Sequence, residues 1–176
     1  ARSSLSILVC TVALLTTQAQ ADEGWGGLAG GDIIVQDRPG PRSKLLKRAG
    51  GTSFTHIGLV RPTGGGFFVA DVTPEQGMFE EHIGDFIEKG RGGRYWVFRY
   101  DGLPHPSTEN HPAVASAYAT HYRADYDAFM MPGGEALYDA ELINIAYGEN
   151  GVELGKLATL KSLRVRSDND LTTLFG

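Results

Sequence analysis

Short apolar runs separated by glycine-rich and proline-rich turns limit this chain to folds built on a small sheet. We predict strands at residues 33–35, 54–60, 67–70 and 95–100, because these runs are rich in β-branched and aromatic residues. The glycine-rich stretch 61–66 is typical of a hairpin connection. A sheet of this kind buries its apolar residues only when a second layer of secondary structure covers it.

Helical patterns that can form this second layer lie between and after the strands. The predicted helices are 43–48, 83–89, 112–122 and a fourth that begins at Tyr138 or Asp139 and ends at Tyr147. Ser43 is a candidate N-cap of the first helix, and Pro112 suits the first turn of the third. Since the sequence shows neither an internal repeat nor a linker, we expect one α+β domain with a small, mostly antiparallel sheet packed against helices.

Residues 1–21 have the layout of a secretory signal peptide. Arg2 is their only charged residue, residues 5–15 are mostly apolar, and residues 19–21 (AQA) form a small-x-small cleavage site. The apolar run is too short to span a bilayer, so we expect no transmembrane segment after removal of the signal. We therefore expect a secreted or periplasmic protein of the cell envelope with a single domain at residues 22–176. An amphipathic surface helix is the alternative, but the segment lacks a polar face.

Charge and cysteine content exclude two further classes of protein. The chain has 16 basic and 21 acidic residues and a net charge of −5, which argues against a protein that binds nucleic acid through a basic face. Its only cysteine, Cys10, lies in the predicted signal peptide. The mature domain would therefore contain no disulfide and no thiol.

Three local patterns contain residues able to do chemistry. His56 lies in Thr-His-Ile-Gly at the start of a predicted strand, and Asp71 ends the apolar run Phe-Phe-Val-Ala-Asp. Tyr126 precedes an aspartate, and Tyr138-Asp139 opens the last predicted helix. Each pattern is weak by itself, because a single histidine beside an apolar strand is more often structural and a strand-end carboxylate is usually solvated or caps a turn.

Taken together, the patterns resemble the circularly permuted papain-like amidases of the YaeF/YiiX group, relatives of the NlpC cell-wall peptidases and of lecithin retinol acyltransferase. That group shows Gly-Asp-Ile-Ile, Ser/Thr-His-x-Gly, a strand with a terminal acidic residue, Gly-Gly-x-Tyr, Tyr-Asp and a Tyr-Cys-Ser-Glu-Leu helix start. Counterparts occur here in the same order over about residues 30–165. They are Gly31-Asp32-Ile33-Ile34, Thr55-His56-Ile57-Gly58, Val69-Ala70-Asp71, Gly92-Gly93-Arg94-Tyr95, Tyr126-Asp127 and Tyr138-Asp139-Ala140-Glu141-Leu142. The resemblance implies a permuted papain-like, NlpC-type fold.

The resemblance also implies a Cys-His-acid triad, for which we expect no cofactor. His56 would be the general base and Asp71 would orient its imidazole. The nucleophile position falls on Asp139, where the group carries cysteine. Tyr126 and Tyr138 would contact substrate, with Tyr126 able to donate a hydrogen bond to a developing oxyanion. The implied reaction is hydrolysis or transfer at an amide or ester bond of a cell-wall peptide or an acyl-lipid conjugate.

Asp139 does not inherit the acyl-enzyme mechanism, because a carboxylate attacks an amide poorly and would form an anhydride. The sequence leaves four interpretations open. In the first, Asp139 caps its helix and the protein is an inactive pseudoenzyme or an envelope binding module that keeps the groove. In the second, Asp139 or His56 activates a water molecule. In the third, His56, Asp71 and Asp139 hold zinc or a similar ion. In the fourth, cysteine has been replaced in this particular sequence.

Overall fold

The computed structural model describes residues 6–9, 27–103, 110–159, 167, 170 and 172–173. In chain order its elements are β1 (Ser6–Val9), β2 (Ile33–Gln36), α1 (Ser43–Gly50), β3 (His56–Thr63), β4 (Gly66–Thr73), β5 (Gly77–His82), α2 (Ile83–Glu88), a 3₁₀ turn (Arg91–Gly93), β6 (Tyr95–Phe98), α3 (Pro112–His121), α4 (Asp139–Gly148) and β7 (Lys156–Thr159). The predicted signal peptide overlaps the described residues only at β1, and Cys10 lies outside them. None of the described helices has the length and hydropathy needed to cross a bilayer.

Five strands form one antiparallel sheet in the order β5-β4-β3-β2-β6. The register places Gln36 of β2 opposite His56 of β3, and Leu59 of β3 opposite Ala70 of β4. A separate antiparallel pair joins β1 to β7. The predicted α+β class with a small antiparallel sheet is therefore confirmed.

Helices cover both faces of the sheet, because successive side chains of a strand point to opposite sides. On one face, Leu59 and Val72 belong to a core cluster that includes Ile143 of α4. On the other face, Val60 and Val69 pack with residues of α2. Along β3 and β4, His56 has the same parity as Val60, and Asp71 has the same parity as Val69. The alternation of side chains along the two strands therefore places His56 and Asp71 on the α2 side of the sheet.

Two predicted details of the strands are wrong. β4 continues beyond Asp71 to Thr73, so this carboxylate lies inside a strand rather than at its end. The predicted connection 61–66 is a hairpin of two residues, because β3 continues to Thr63 and pairs there with Gly66. β5 was not predicted, since its sequence Gly-Met-Phe-Glu-Glu-His lacks a β-branched run, and its pairing with β4 decides the conformation.

Ser43 is not the N-cap of α1. Arg42 occupies that position, and its side chain makes no capping hydrogen bond. The Ser43 hydroxyl instead donates to Asp37 Oδ1 at 3.1 Å. The end of the helix agrees with the glycine-rich sequence that follows it, because Gly51 adopts a left-handed conformation with φ of 63°.

The Gly-Asp-Ile-Ile segment has a structural role at the start of β2. The buried Asp32 carboxylate accepts hydrogen bonds from Arg99 Nε and Nη2, each at 2.6 Å, and from the Ala29 amide at 2.7 Å. Gly31 has a φ of +84°, and a Cβ there would lie 2.4 Å from the His111 ring. Both residues therefore fix the chain where it enters the sheet.

Gly58 is the position where β3 tolerates no side chain. A Cβ at Gly58 would lie 2.4 Å from Val69 Cγ1 and 3.2 Å from the Phe86 ring. The Phe86 ring lies beside the imidazole of His56, with centroids 5.8 Å apart. The glycine of Thr-His-Ile-Gly therefore lets α2 approach the strand that carries the histidine.

We expect Gly58→Ala to lower the free energy of unfolding by about 1–3 kcal/mol, because the added methyl group overpacks the α2 side of the sheet. Gly64→Ala is the matched control, since a Cβ there meets no heavy atom of the described residues within 4 Å. It should change stability by about 0.5 kcal/mol or less. Urea denaturation measures both, and equal stabilities for the two variants would contradict the close packing around Gly58.

Candidate functional site

A groove of about 1050 Å³ opens where β3 begins and α4 starts. His56 and Asp139 both line it. Most other residues of the lining are apolar, and they include Val35, Leu46, Phe54, Ile57, Phe98 and Met130. A concave, mostly apolar surface with a few convergent polar groups is the usual form of a small-molecule site.

His56 lies between two carboxylates. Its Nε2 atom is 2.5 Å from Asp71 Oδ1, and its Nδ1 atom is 3.0 Å from Asp139 Oδ2. The three residues come from β3, β4 and α4, so the tertiary structure brings together the predicted imidazole and both acidic groups. The catalytic roles predicted for them remain predictions.

Asp71 is fully buried behind His56. Its Oδ1 atom also accepts from the Val72 amide at 2.7 Å. Its Oδ2 atom accepts from both terminal nitrogens of Arg38 at 3.2 Å. Burial of an ionised carboxylate is costly unless it is paired, and here one imidazole and one guanidinium supply the pairing.

The carboxylates set the protonation state of His56. Burial by itself lowers the pKa of the imidazole, but the charges of Asp71 and Asp139 and their hydrogen bonds raise it to about 9. Conversely, the charges of His56 and Arg38 outweigh burial and lower the pKa of Asp71 to about 2. At neutral pH the site is therefore an imidazolium between two carboxylates, in which one ring N–H donates a hydrogen bond to Asp71 and the other donates to Asp139.

Asp139 is the first residue of α4, and Tyr138 holds the N-cap position without a capping side-chain bond. The N-cap position that the first interpretation gave to Asp139 therefore belongs to Tyr138. The Oδ1 atom of Asp139 accepts from the Ala140 amide at 2.8 Å, so one carboxylate oxygen stabilises the helix start while the other binds His56. A negative charge in the first turn is also favourable to the helix dipole.

The geometry does not suit the metal interpretation. Asp71 and Asp139 lie at opposite nitrogens of the His56 ring, so the three side chains do not converge on one point. In the ranges that the structure describes, no three His, Cys, Asp or Glu side chains form a group that could hold a metal.

The two predicted substrate contacts line the groove in different ways. Tyr138 is 2% exposed and forms part of the wall. The Tyr126 hydroxyl lies 3.4 Å from Arg42 Nη1, and the charge of Asp139 acts on it. Burial, reinforced by that charge, raises the pKa of Tyr126, so the phenol stays protonated and able to donate.

Sequence patterns missed two arginines of the site, Arg38 and Arg42. Both lie in or next to the stretch Asp-Arg-Pro-Gly-Pro, whose composition indicates only a loop. Arg38 holds Asp71 and stacks over Phe86, with its Cζ atom 5.1 Å from the ring centroid. A basic residue beside a proline gives no periodic signal, so only tertiary contacts assign these side chains to the site.

Glu141, the acidic residue of the helix-start motif, anchors the loop that precedes α4. Its Oε1 atom accepts from the Gly133 amide at 2.8 Å, and burial raises its pKa. Asp127 supports the same loop by accepting from the Phe129 amide at 2.8 Å and the Met131 amide at 2.5 Å. Both carboxylates therefore hold the wall of the groove rather than the reacting centre.

Comparison with known proteins supports the fold. The crystal structure of the metalloprotein YiiX from Escherichia coli O157:H7 is similar to this chain, with a TM-score of 0.72 and 21% identity. The match covers 82% of this chain and 78% of YiiX. Neither the protein-family models nor the curated proteins give a match. The YiiX-type fold that the sequence motifs implied is thus confirmed.

We expect the protein to lose stability as the pH rises from about 6.5 to 9. The folded-state pKa of His56 lies above its unfolded value, so its contribution is complete below pH 6.5 and disappears as the pH passes about 9. A shift of this size corresponds to about 3 kcal/mol. The free energy of unfolding, measured by urea denaturation across this range, should fall accordingly. The same slope in His56→Gln would contradict this assignment.

Asp139→Asn should lower the pKa of His56, because the amide keeps a hydrogen-bond acceptor at Nδ1 but removes one negative charge. The pKa should stay above its ordinary value, since Asp71 remains. NMR titration of the imidazole measures the shift. Asp85→Asn, on the exposed side of α2, is the control. An unchanged pKa in Asp139→Asn would contradict the contact between Asp139 and His56.

Proposed function

We propose that this protein is a ligand-binding relative of amide and ester hydrolases, in which Asp139 occupies the nucleophile position and prevents formation of an acyl-enzyme. The proposal is carried by the imidazole of His56, whose two nitrogens are both taken up by carboxylates. Under this proposal the protein is a pseudoenzyme, which keeps the groove but does not catalyse hydrolysis. Its family resemblance is supported by the fold shared with YiiX.

A general base must be neutral before it can accept a proton. With a pKa of about 9, His56 is already protonated at pH 7, so it cannot withdraw a proton from a nucleophile. Its Nδ1–H points to Asp139, where the resemblance places a thiol. An imidazolium–carboxylate pair in this position is a stable end state rather than an activated nucleophile.

The groove itself remains suited to binding. A volume of about 1050 Å³ accommodates an extended chain, and the apolar lining favours an aliphatic or peptide ligand. We propose a cell-wall peptide or an acyl-lipid conjugate as the ligand class. We place the protein in the cell envelope on the basis of the predicted signal peptide.

Direct hydrolysis by an activated water is the second candidate. The Asp139 side chain is 22% exposed and lines the groove, with the His56–Asp71 pair complete behind it. A carboxylate in that position can bind and polarise a water molecule. Although YiiX is described as a metalloprotein, we propose no metal-dependent step here, because the carboxylates on opposite sides of His56 do not form a ligand set.

Asp139→Cys should create hydrolase activity that the unaltered protein lacks. The new thiol would lie at the N-terminus of α4, where the helix dipole favours thiolate, and loss of Asp139 lowers the pKa of His56 toward that of a usable base. Hydrolysis of p-nitrophenyl esters and of acyl amides measures the gain. We expect at least a hundredfold increase over the unaltered protein, since nucleophile and base then act together.

Matched variants separate the alternatives. Asp139→Cys combined with His56→Ala should be inactive, because the thiol then has no base. Activity in the unaltered protein that disappears in His56→Ala and in Asp139→Asn would instead establish water activation and overturn the pseudoenzyme proposal. Loss of that activity on addition of a chelator would reveal a metal and contradict our interpretation of the site.

A further inference from the structure

We propose that Arg42 and Tyr126 form an anion-binding subsite in the groove, which selects amphipathic ligands that carry a carboxylate. The inference rests on the proposed function, because it concerns the ligand of the same groove. It adds the chemical class of that ligand, which the fold does not supply.

Arg42 is a cation of the groove wall without an acidic partner. Its guanidinium contacts the Tyr126 hydroxyl at 3.4 Å, and no carboxylate of the described residues forms an ion pair with it. The first turn of α1, which follows directly, has the sequence Ser-Lys-Leu-Leu and carries no acidic side chain. Among the described residues the guanidinium is therefore a planar donor group without a paired carboxylate, and such a group binds carboxylates bidentately.

The other cations of the groove are already neutralised. Arg38 donates to Asp71 and lies 3.9 Å from Glu81 Oε1. The His56 imidazolium is held by Asp71 and Asp139. An anionic ligand would have to compete with these carboxylates at either group, so Arg42 is the favourable position for a negative charge.

Tyr126 provides a second donor at the same place. Because its oxygen accepts from Arg42, its hydroxyl proton is free to point at a ligand oxygen. Tyr126 pairs with Leu137 in a backbone bridge just before α4 begins, which places the subsite close to the helix start. Since Asp139 repels a second carboxylate, binding of an anion here depends on the positive charge of Arg42.

The remaining lining determines the body of the ligand. Apolar side chains from several elements face the same groove, among them Leu46, Phe54, Ile57, Phe98 and Met130. Burial of an alkyl chain against such a surface contributes about 0.8 kcal/mol for each CH₂ group. A ligand that combines an acyl chain with one carboxylate, such as an N-acyl amino acid, satisfies both features.

The test compares N-dodecanoylglycine with its uncharged amide, N-dodecanoylglycinamide, by isothermal titration calorimetry below their aggregation concentrations. The unaltered protein should bind the carboxylate at least tenfold more tightly. Arg42→Gln should reduce its affinity to that of the amide, and Tyr126→Phe should reduce the preference about threefold. Lys44→Gln is the matched control, because this exposed lysine of α1 does not line the groove and its loss should leave the preference intact.

Arg42→Lys tests whether loss of the positive charge, rather than damage to the fold, causes the effect of Arg42→Gln. It keeps the charge and should therefore keep a reduced preference for the carboxylate. Equal affinity of the unaltered protein for both compounds would overturn the subsite while leaving the groove as a binding site. If neither compound binds, the subsite is overturned and an acyl-chain ligand is excluded, which leaves the cell-wall peptide of the proposed function. Full preference in Arg42→Gln, with unchanged urea stability, would exclude Arg42 as its cause.

Discussion

Burial of the Asp71 carboxylate is the constraint on which the rest of the site depends. A fully buried charge inside a central strand is tolerated only when opposite charges reach it. His56 reaches it from β3 and Arg38 from the loop after β2. The requirement therefore fixes the imidazole orientation, directs Nδ1 toward α4 and holds the loop that forms one wall of the groove.

Asp139 completes this arrangement from the opposite side. It stabilises the start of α4 through the Ala140 amide and accepts a hydrogen bond from His56 Nδ1 with its second oxygen. In a thiol hydrolase the group at this position gains reactivity from an adjacent imidazole. A carboxylate gains only stability from the same neighbour, because the imidazolium and the carboxylate neutralise each other. Under the proposed function, the same geometry that would activate a thiol thus leaves the aspartate paired and unable to act as a nucleophile.

Much of the fold was predictable because the signals are local. The β-branched run of β2, the aromatic run of β6 and the proline at the first turn of α3 each indicate their element correctly, with the predicted starts and with ends displaced by one or two residues. β5 was not predicted, because two adjacent glutamates are unusual in a strand. They form ion pairs with Arg61 and Lys89 only in the folded protein. Asp71 looked like a strand end for a similar reason, since a carboxylate inside a strand requires partners that the local sequence does not reveal.

The sequence by itself determined the α+β class, the order of the motifs and the absence of cysteine from residues 22–176, because composition and short-range patterning are properties of neighbouring residues. Motif order also singled out His56, Asp71 and Asp139. Only the tertiary structure decided that one imidazole lies between the two carboxylates, that Arg38 holds the buried one and that Arg42 faces the groove without an acidic partner among the described residues. These contacts join residues far apart in the chain, and their charges interact only at the distances that folding imposes.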